Sequence, residues 1–155
     1  MERSAQRLLV VEDDVTVARA LSRALSRRGF SVALAASCAA ARALLQTFEF
    51  AIVDLDLPDG NGVDLARQLI RGGRTLGVVF FTGSTDAARL TRARRVGPVV
   101  AKSAGTSALL PFLPSEVSEP PESRIAPSTN QRGARRSSSV VARTSPSTLR
   151  KLPAR

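Results

Sequence analysis

Short apolar runs and helix-like segments alternate along the first two thirds of the chain. The predicted strands that contain the apolar runs cover residues 7–11, 30–35, 50–54, 76–82 and 98–102, and their polar residues lie mainly at the ends. The segments between them repeat apolar residues every three or four positions, as amphipathic helices do; they are residues 14–29, 37–48, 62–73 and 84–97. This order predicts an α/β fold, and runs without polar alternation predict a parallel strand arrangement with helices on both faces of the sheet.

The apolar positions also predict which side of each helix faces the sheet. The residues expected to face inward are Ala18, Leu21 and Leu25 in the first helix, Ala41, Leu44, Leu45 and Phe48 in the second, and Leu65, Leu69 and Ile70 in the third. Ser37 is placed to accept hydrogen bonds at the start of the second helix. Gly29 is placed to end the first.

Composition excludes several classes of function. The chain has 155 residues, no histidine and a single cysteine, Cys38. Without histidine it cannot be a histidine phosphodonor, and it cannot build a Ser-His-Asp triad or a histidine metal site. A lone cysteine forms no internal disulfide and fits a reducing compartment. The first apolar run is too short for a secretory signal or a membrane helix, so we expect a cytoplasmic protein without membrane association.

The chain divides into two parts of different character. We expect a folded domain over residues 1–115 and a tail over residues 116–155. The tail is rich in Ser, Pro and Arg, and residues 125–155 contain seven Lys or Arg and no acidic residue. Such a composition buries too little apolar surface to offset chain entropy, which predicts disorder. Its charge makes weak, sequence-independent nucleic-acid contact a candidate role.

Polar side chains follow four of the five predicted strands at their carboxyl ends. They are Glu12, Asp13 and Asp14 after the first, Asp54 after the third, Thr82 at the end of the fourth and Lys102 at the end of the fifth. Parallel strands bring these ends to one edge of the sheet, where ligands bind in α/β folds. Carboxylates gathered there need a cation, and oxygen ligands suit Mg2+. One carboxylate is then free to act as a nucleophile toward a phosphoryl group.

These residues and their order resemble the receiver domain of two-component response regulators, over residues 7 to 102. "LLVVEDD" resembles the family's first strand with its acidic pair, and "VDLDLPDGNG" resembles its phosphorylation loop. The resemblance implies a doubly wound, flavodoxin-like sheet of strand order 2-1-3-4-5. It also implies a sensor histidine kinase or a phosphotransfer protein as the partner, and Mg2+ as the cofactor.

The resemblance also implies a role for each site residue. Asp54 lies four residues before Pro58, the position of the family's phosphoacceptor. Glu12 and Asp13 match the metal-binding pair, and the residue two after the acceptor, Asp56, would bind metal through its backbone carbonyl with its side chain directed elsewhere. "VVFFTGS" supplies the switch hydroxyl, Thr82, and "VVAKS" supplies the lysine, Lys102.

The sequence departs from the family pattern near its fifth strand. Ser103 stands where receivers usually have proline, and Val99 where they usually have an aromatic residue. The fifth helix is reduced to "TSALL" (106–110) at most. We therefore expect phosphate acceptance to survive and the relay to an output to be impaired. Loss of that helix leaves two outcomes open: an exposed apolar face, or its coverage by the segment 109–113.

Other interpretations stay open at this stage. We do not expect an enzyme, although the Asp-x-Asp of "IVDLDLPDG" also occurs in haloacid-dehalogenase-type phosphatases, which place it on their first strand. A degenerate receiver that only binds protein or nucleic acid through its basic tail is the other alternative. Four arginines of the fourth helix form either a solvated face or a contact for an acidic partner; they are Arg89, Arg92, Arg94 and Arg95.

Overall fold

A computed structural model describes residues 4–115 of the chain. Its centre is a parallel sheet of five strands, β1 to β5, in the order β2-β1-β3-β4-β5. The strands are β1 (Arg7–Val11), β2 (Ser31–Ala35), β3 (Phe48–Val53), β4 (Thr75–Thr82) and β5 (Val99–Ala101). The α/β class, the parallel strands and the 2-1-3-4-5 order are therefore confirmed. The tail over residues 116–155, its expected disorder and its nucleic-acid contact lie outside the described residues.

Four α-helices connect the strands. They are α1 (Val15–Ser26), α2 (Cys38–Ala43), α3 (Gly62–Arg71) and α4 (Ala87–Arg94). Two short 3-10 segments, Lys102–Ala104 and Thr106–Phe112, follow β5. None of the helices in residues 4–115 is long and apolar enough to cross a membrane.

The core lies on both faces of the sheet, because neighbouring strand residues point to opposite sides. In β1, Leu9 and Val11 pack with residues of α2, α3 and α4 on one face. Leu8 and Val10 pack on the other face with α1 residues such as Leu21. The doubly wound arrangement thus places helices over both surfaces of the sheet, and the inner strands β1, β3 and β4 are more buried than the edge strands β2 and β5.

The 3-10 segment Thr106–Phe112 takes the place of a fifth helix. Its Leu109 has no exposed surface, and Leu113 just beyond it is 8% exposed. Both pack into the α1-side core. Of the two outcomes that the sequence left open, the structure therefore shows coverage of this face by residues 109–113. A cavity of about 210 Å³ remains beside the segment, between Val17 of α1 and Phe81 of β4.

Two inward-facing assignments from the sequence are wrong, those of Leu45 and Ile70. Helix α2 ends at Ala43, and Leu45 beyond it is 87% exposed. Phe48 is buried as a strand residue instead, because its amide donates to the carbonyl of Arg74 beside β4 and lengthens β3. In α3, Leu69 is buried whereas Ile70 is 37% exposed. The helix contacts the sheet through a narrower stripe than the periodicity suggested.

Candidate functional site

Glu12 and Asp54 lie side by side because the strands before them are paired. Val11 of β1 is in register with Val53 of β3, and the Asp54 amide donates to the Val11 carbonyl at 2.9 Å. Each carboxylate therefore follows directly from a buried strand. Glu12 is 3% exposed and Asp54 is 5% exposed. Two buried carboxylates need cationic partners, since an unpaired buried charge is costly.

Lys102 is the cation that the described structure supplies. Its Nζ lies 2.6 Å from Asp54 Oδ2 and 2.8 Å from Glu12 Oε2. Burial lowers the pKa of Lys102, but the hydrogen bonds to Asp54 and Glu12 outweigh burial, and the net pKa is raised. Burial raises the pKa of Glu12, against the opposing hydrogen bond from Lys102. Lys102 thus stays charged at neutral pH and holds both carboxylates.

Asp13 completes a carboxylate cluster that fits a metal ion. Glu12, Asp13 and Asp54 each offer an oxygen, and these oxygens lie within 4.8 Å of one another. Asp13 is exposed, whereas the other two carboxylates are buried, so the cluster opens to solvent on one side. Hard oxygen donors with access to water are what Mg2+ requires, because it usually keeps several waters.

The loop after β3 is held tightly against Asp54. A Cβ added to Gly62 would lie 1.9 Å from the Asp54 carbonyl oxygen, so only glycine permits this approach. The Asp59 carboxylate accepts from the amides of Cys38 and Ala39, at 2.7 and 2.8 Å, and so fastens the loop to the start of α2. These backbone bonds lower the pKa of Asp59.

Asp56 contacts the site through its backbone and another element through its side chain. Its amide donates to Asp54 Oδ1 at 3.3 Å. Its carboxylate pairs with the guanidinium of Arg89 on α4. The side chain is therefore directed away from the carboxylate cluster, which does not include Asp56.

Thr82 lies at the same edge of the sheet, next to Lys102. It is in register with Ala101, the residue before Lys102, and it is 2% exposed. Its Oγ1 accepts a hydrogen bond from the Ser84 amide at 3.1 Å. A hydroxyl can donate while it accepts, so Thr82 remains capable of donating to a phosphoryl oxygen.

The structure brings together most of the residues expected from the sequence. The carboxylates of Glu12, Asp13 and Asp54 form one cluster, and the Lys102 ammonium pairs with Glu12 and Asp54 of that cluster. Asp14, which was not assigned to the metal site, lies at the start of α1 and caps the helix, with its side chain accepting from the amides of Thr16 and Val17. The pairing of Arg89 with Asp56 was missed, because the sequence shows an arginine-rich helix without showing which acid faces it.

The family model for the response regulator receiver domain matches residues 8–110. This chain belongs to that family. Receiver domains are the signalling modules of two-component systems and are not classical enzymes. Asp54 also follows the third strand rather than the first, the place expected of a haloacid-dehalogenase-type phosphatase.

Curated relatives of the chain include an acid tolerance regulatory protein and a photosynthetic apparatus regulatory protein. Over 127 residues it is 36% identical to the acid tolerance regulatory protein ActR of Rhizobium meliloti (strain 1021), covering 77% of this chain and 65% of ActR. Over 92 residues it is 36% identical to the photosynthetic apparatus regulatory protein RegA of Rhodovulum sulfidophilum, covering 58% of this chain and 50% of RegA. The chain thus spans less than two thirds of the length of either relative.

Solved receiver structures share the fold. A response regulator from Burkholderia pseudomallei, solved with a phosphorylated aspartic acid, calcium ion and citrate, is 29% identical with a TM-score of 0.62, covering 71% of this chain and 67% of that one. A CheY-like receiver domain protein from Methanospirillum hungatei is 24% identical with a TM-score of 0.61, covering 70% of this chain and 90% of that one. The second likeness supports the fold alone.

Proposed function

We propose that this chain accepts a phosphoryl group on Asp54 from the phosphohistidine of a sensor histidine kinase or a phosphotransfer protein. One observation carries the proposal: the Lys102 ammonium lies 2.6 Å from a buried Asp54 carboxylate, beside two further carboxylates. The phosphorylated aspartic acid of the Burkholderia pseudomallei relative supports the same chemistry here.

Asp54 is the nucleophile in this proposal. A carboxylate oxygen of Asp54 attacks phosphorus, the new P–O bond forms as the P–N bond to the donor imidazole breaks, and the imidazole keeps the electron pair and takes a proton from solvent. The product is a mixed anhydride, an aspartyl phosphate. The chain has no histidine, so the donor must come from another molecule.

Lys102 and Thr82 stabilise the transferred group in this proposal. Phosphoryl transfer depends mainly on positioning and on charge stabilisation rather than on covalent help from the protein. The Lys102 ammonium donates hydrogen bonds to Asp54 and Glu12. Because an ammonium has three donors, it can also donate to a phosphoryl oxygen. Thr82 supplies a neutral donor from the neighbouring strand.

The carboxylate cluster is the proposed magnesium site. Glu12, Asp13 and Asp54 would hold Mg2+ with their oxygens, and Asp56 would add its backbone carbonyl. When bound, the ion neutralises negative charge on the phosphoryl oxygens. The buried position of Glu12, which is fixed by Lys102 at 2.8 Å, orients one of these ligands in advance.

We further propose residues 1–115 as the receiver unit and the cytoplasm as its location. Cys38 is a buried free thiol, which is consistent with a reducing compartment. Because Ser103 and Val99 depart from the receiver pattern, we propose that phosphorylation changes output less than in other receivers. The output itself would belong to residues after 115 or to a separate protein.

Acetyl phosphate tests the transfer without a kinase. The protein is incubated with acetyl phosphate and Mg2+, and its intact mass is measured beside Asp54→Ala. Asp64→Ala is the matched control, because it removes an exposed carboxylate of α3 that lies outside the cluster. We expect one added phosphoryl group in the wild type and in Asp64→Ala, and none in Asp54→Ala or after chelation of Mg2+.

Two results would contradict the proposal. One is an unlabelled wild type under conditions that label a control receiver. The other is equal labelling of Asp54→Ala, which would place the acceptor elsewhere. Continuous release of phosphate over many turnovers, in place of stoichiometric labelling, would favour the phosphatase alternative.

A further inference from the structure

Arg89 is not part of the phosphoryl-transfer site described above, yet its side chain contacts Asp56 in the loop that follows Asp54. It stands in the first turn of α4 and is exposed. Its Nη1 pairs with Asp56 Oδ1, and its Nε lies 3.7 Å from Asp86 Oδ2. One guanidinium therefore joins the loop after β3 to the N-cap residue of α4.

As a consequence, the backbone and the side chain of Asp56 contact different parts of the molecule. Its amide is bonded to Asp54 Oδ1 at 3.3 Å, so the backbone belongs to the site. Its carboxylate, held by Arg89, stays outside the group formed by Glu12, Asp13 and Asp54. Without Arg89, the Asp56 carboxylate, only two residues from Asp54, would lose this ion pair.

We propose that Arg89 is a positioning residue that keeps the Asp56 carboxylate out of the magnesium site. This inference rests on the proposed function, because it concerns the same carboxylate cluster. Mg2+ prefers anionic oxygen ligands, so a released Asp56 carboxylate adds attraction for the ion. Arg89 thereby weakens Mg2+ binding and leaves ligand positions open for water and phosphoryl oxygens.

The Arg89–Asp86 contact supports a link to α4 as well. The Asp86 side chain caps α4 by accepting from the amides of Ala88 and Arg89, at 2.9 and 3.1 Å. These backbone bonds, and the charge of Arg89, lower the pKa of Asp86. The cap survives loss of the arginine side chain because it uses backbone amides. A change at Arg89 is therefore expected to alter Asp56 more than the helix.

The test is the Mg2+ affinity of Arg89→Gln, measured without any phosphoryl donor. The chain has no tryptophan or tyrosine, so calorimetry or amide chemical shifts replace intrinsic fluorescence. Both side chains of the pair are about half exposed, at 47% and 46%, which limits the effect of an ion pair. We expect Mg2+ to bind Arg89→Gln about two- to five-fold more tightly than wild type.

Three further variants separate positioning from charge alone. Arg92→Gln removes the same charge one turn along α4 and should leave the affinity unchanged. Arg89→Lys keeps a cation within reach of Asp56 and should restore most of the wild-type affinity. In an Asp56→Asn background, Arg89→Gln should have no further effect, because there is no carboxylate to release.

The outcomes distinguish this inference from the proposed function. If wild-type protein binds no Mg2+ and takes no phosphoryl group, the proposed function itself fails. If wild type binds Mg2+ and Arg89→Gln binds it no more tightly than Arg92→Gln does, the positioning role of Arg89 is overturned. An effect of Arg89→Gln that persists in Asp56→Asn would also overturn it.

Discussion

Substitution of Leu109 tests most directly whether residues 109–113 stabilise the fold in place of a full fifth helix. The side chain has no exposed surface and packs into the α1-side core. Truncation of a buried leucine to alanine costs about 2–5 kcal/mol, through lost apolar contact and the cavity that remains. We expect Leu109→Ala to lower the free energy of unfolding by about 3 kcal/mol, a large share of the 5–15 kcal/mol typical of a domain.

Urea denaturation followed by far-ultraviolet circular dichroism measures this loss, since the chain has no tryptophan or tyrosine to report fluorescence. Phe112→Ala is the matched control: it removes a larger apolar side chain from the same segment, but one that is 41% exposed. The control should lose less than about 1 kcal/mol.

Equal losses in the two variants would refute the idea that residues 109–113 cover the sheet. A loss below about 1 kcal/mol in Leu109→Ala would refute it as well. If Leu109→Ala does not fold, Leu109→Val keeps most of the contact and should lose about 1 kcal/mol. That milder variant still separates a buried position from an exposed one.

Two substitutions and one labelling experiment test local features of the structure. Asp14→Ala removes the side chain that caps α1 and should cost about 1 kcal/mol in urea denaturation; an unchanged midpoint would count against the cap. Gly62→Ala places a methyl group 1.9 Å from the Asp54 carbonyl oxygen and should cost about 1–3 kcal/mol while reducing phosphoryl uptake; full stability and uptake would show that the loop is looser than described. Burial and the Asp59 carboxylate raise the pKa of Cys38, so less thiolate is present at pH 8 and iodoacetamide should alkylate the native protein far more slowly than the urea-unfolded chain; equal rates, measured by mass, would contradict this.

The sequence predicts the sheet from the alternation of apolar runs and helical segments. It predicts the carboxylate cluster from the acidic residues that follow the strands. Once five strands run parallel, Glu12, Asp54 and Lys102 lie at the same edge of the sheet, because each is at the carboxyl end of its strand. The sheet order, however, was implied by resemblance to receivers and not by periodicity.

Features that depend on contacts between distant segments were not predictable in the same way. Residues 44–48 continue a helical pattern, yet pairing with β4 draws Phe48 into a strand. The partner of Arg89 is 33 residues away in the chain, and no local rule selects Asp56 from among the acids. The coverage of the sheet by residues 109–113 was one of two open outcomes, since apolar residues near prolines indicate burial without indicating where.

The position of the phosphoryl group tests the central claim most directly. After reaction with acetyl phosphate and Mg2+, hydroxylamine converts an acyl phosphate to a stable hydroxamate, which peptide mass spectrometry can locate. We expect one hydroxamate, at Asp54, and its loss when Lys102 is replaced by alanine. A hydroxamate at Asp13 or Asp56, or none under conditions that modify a control receiver, would contradict it.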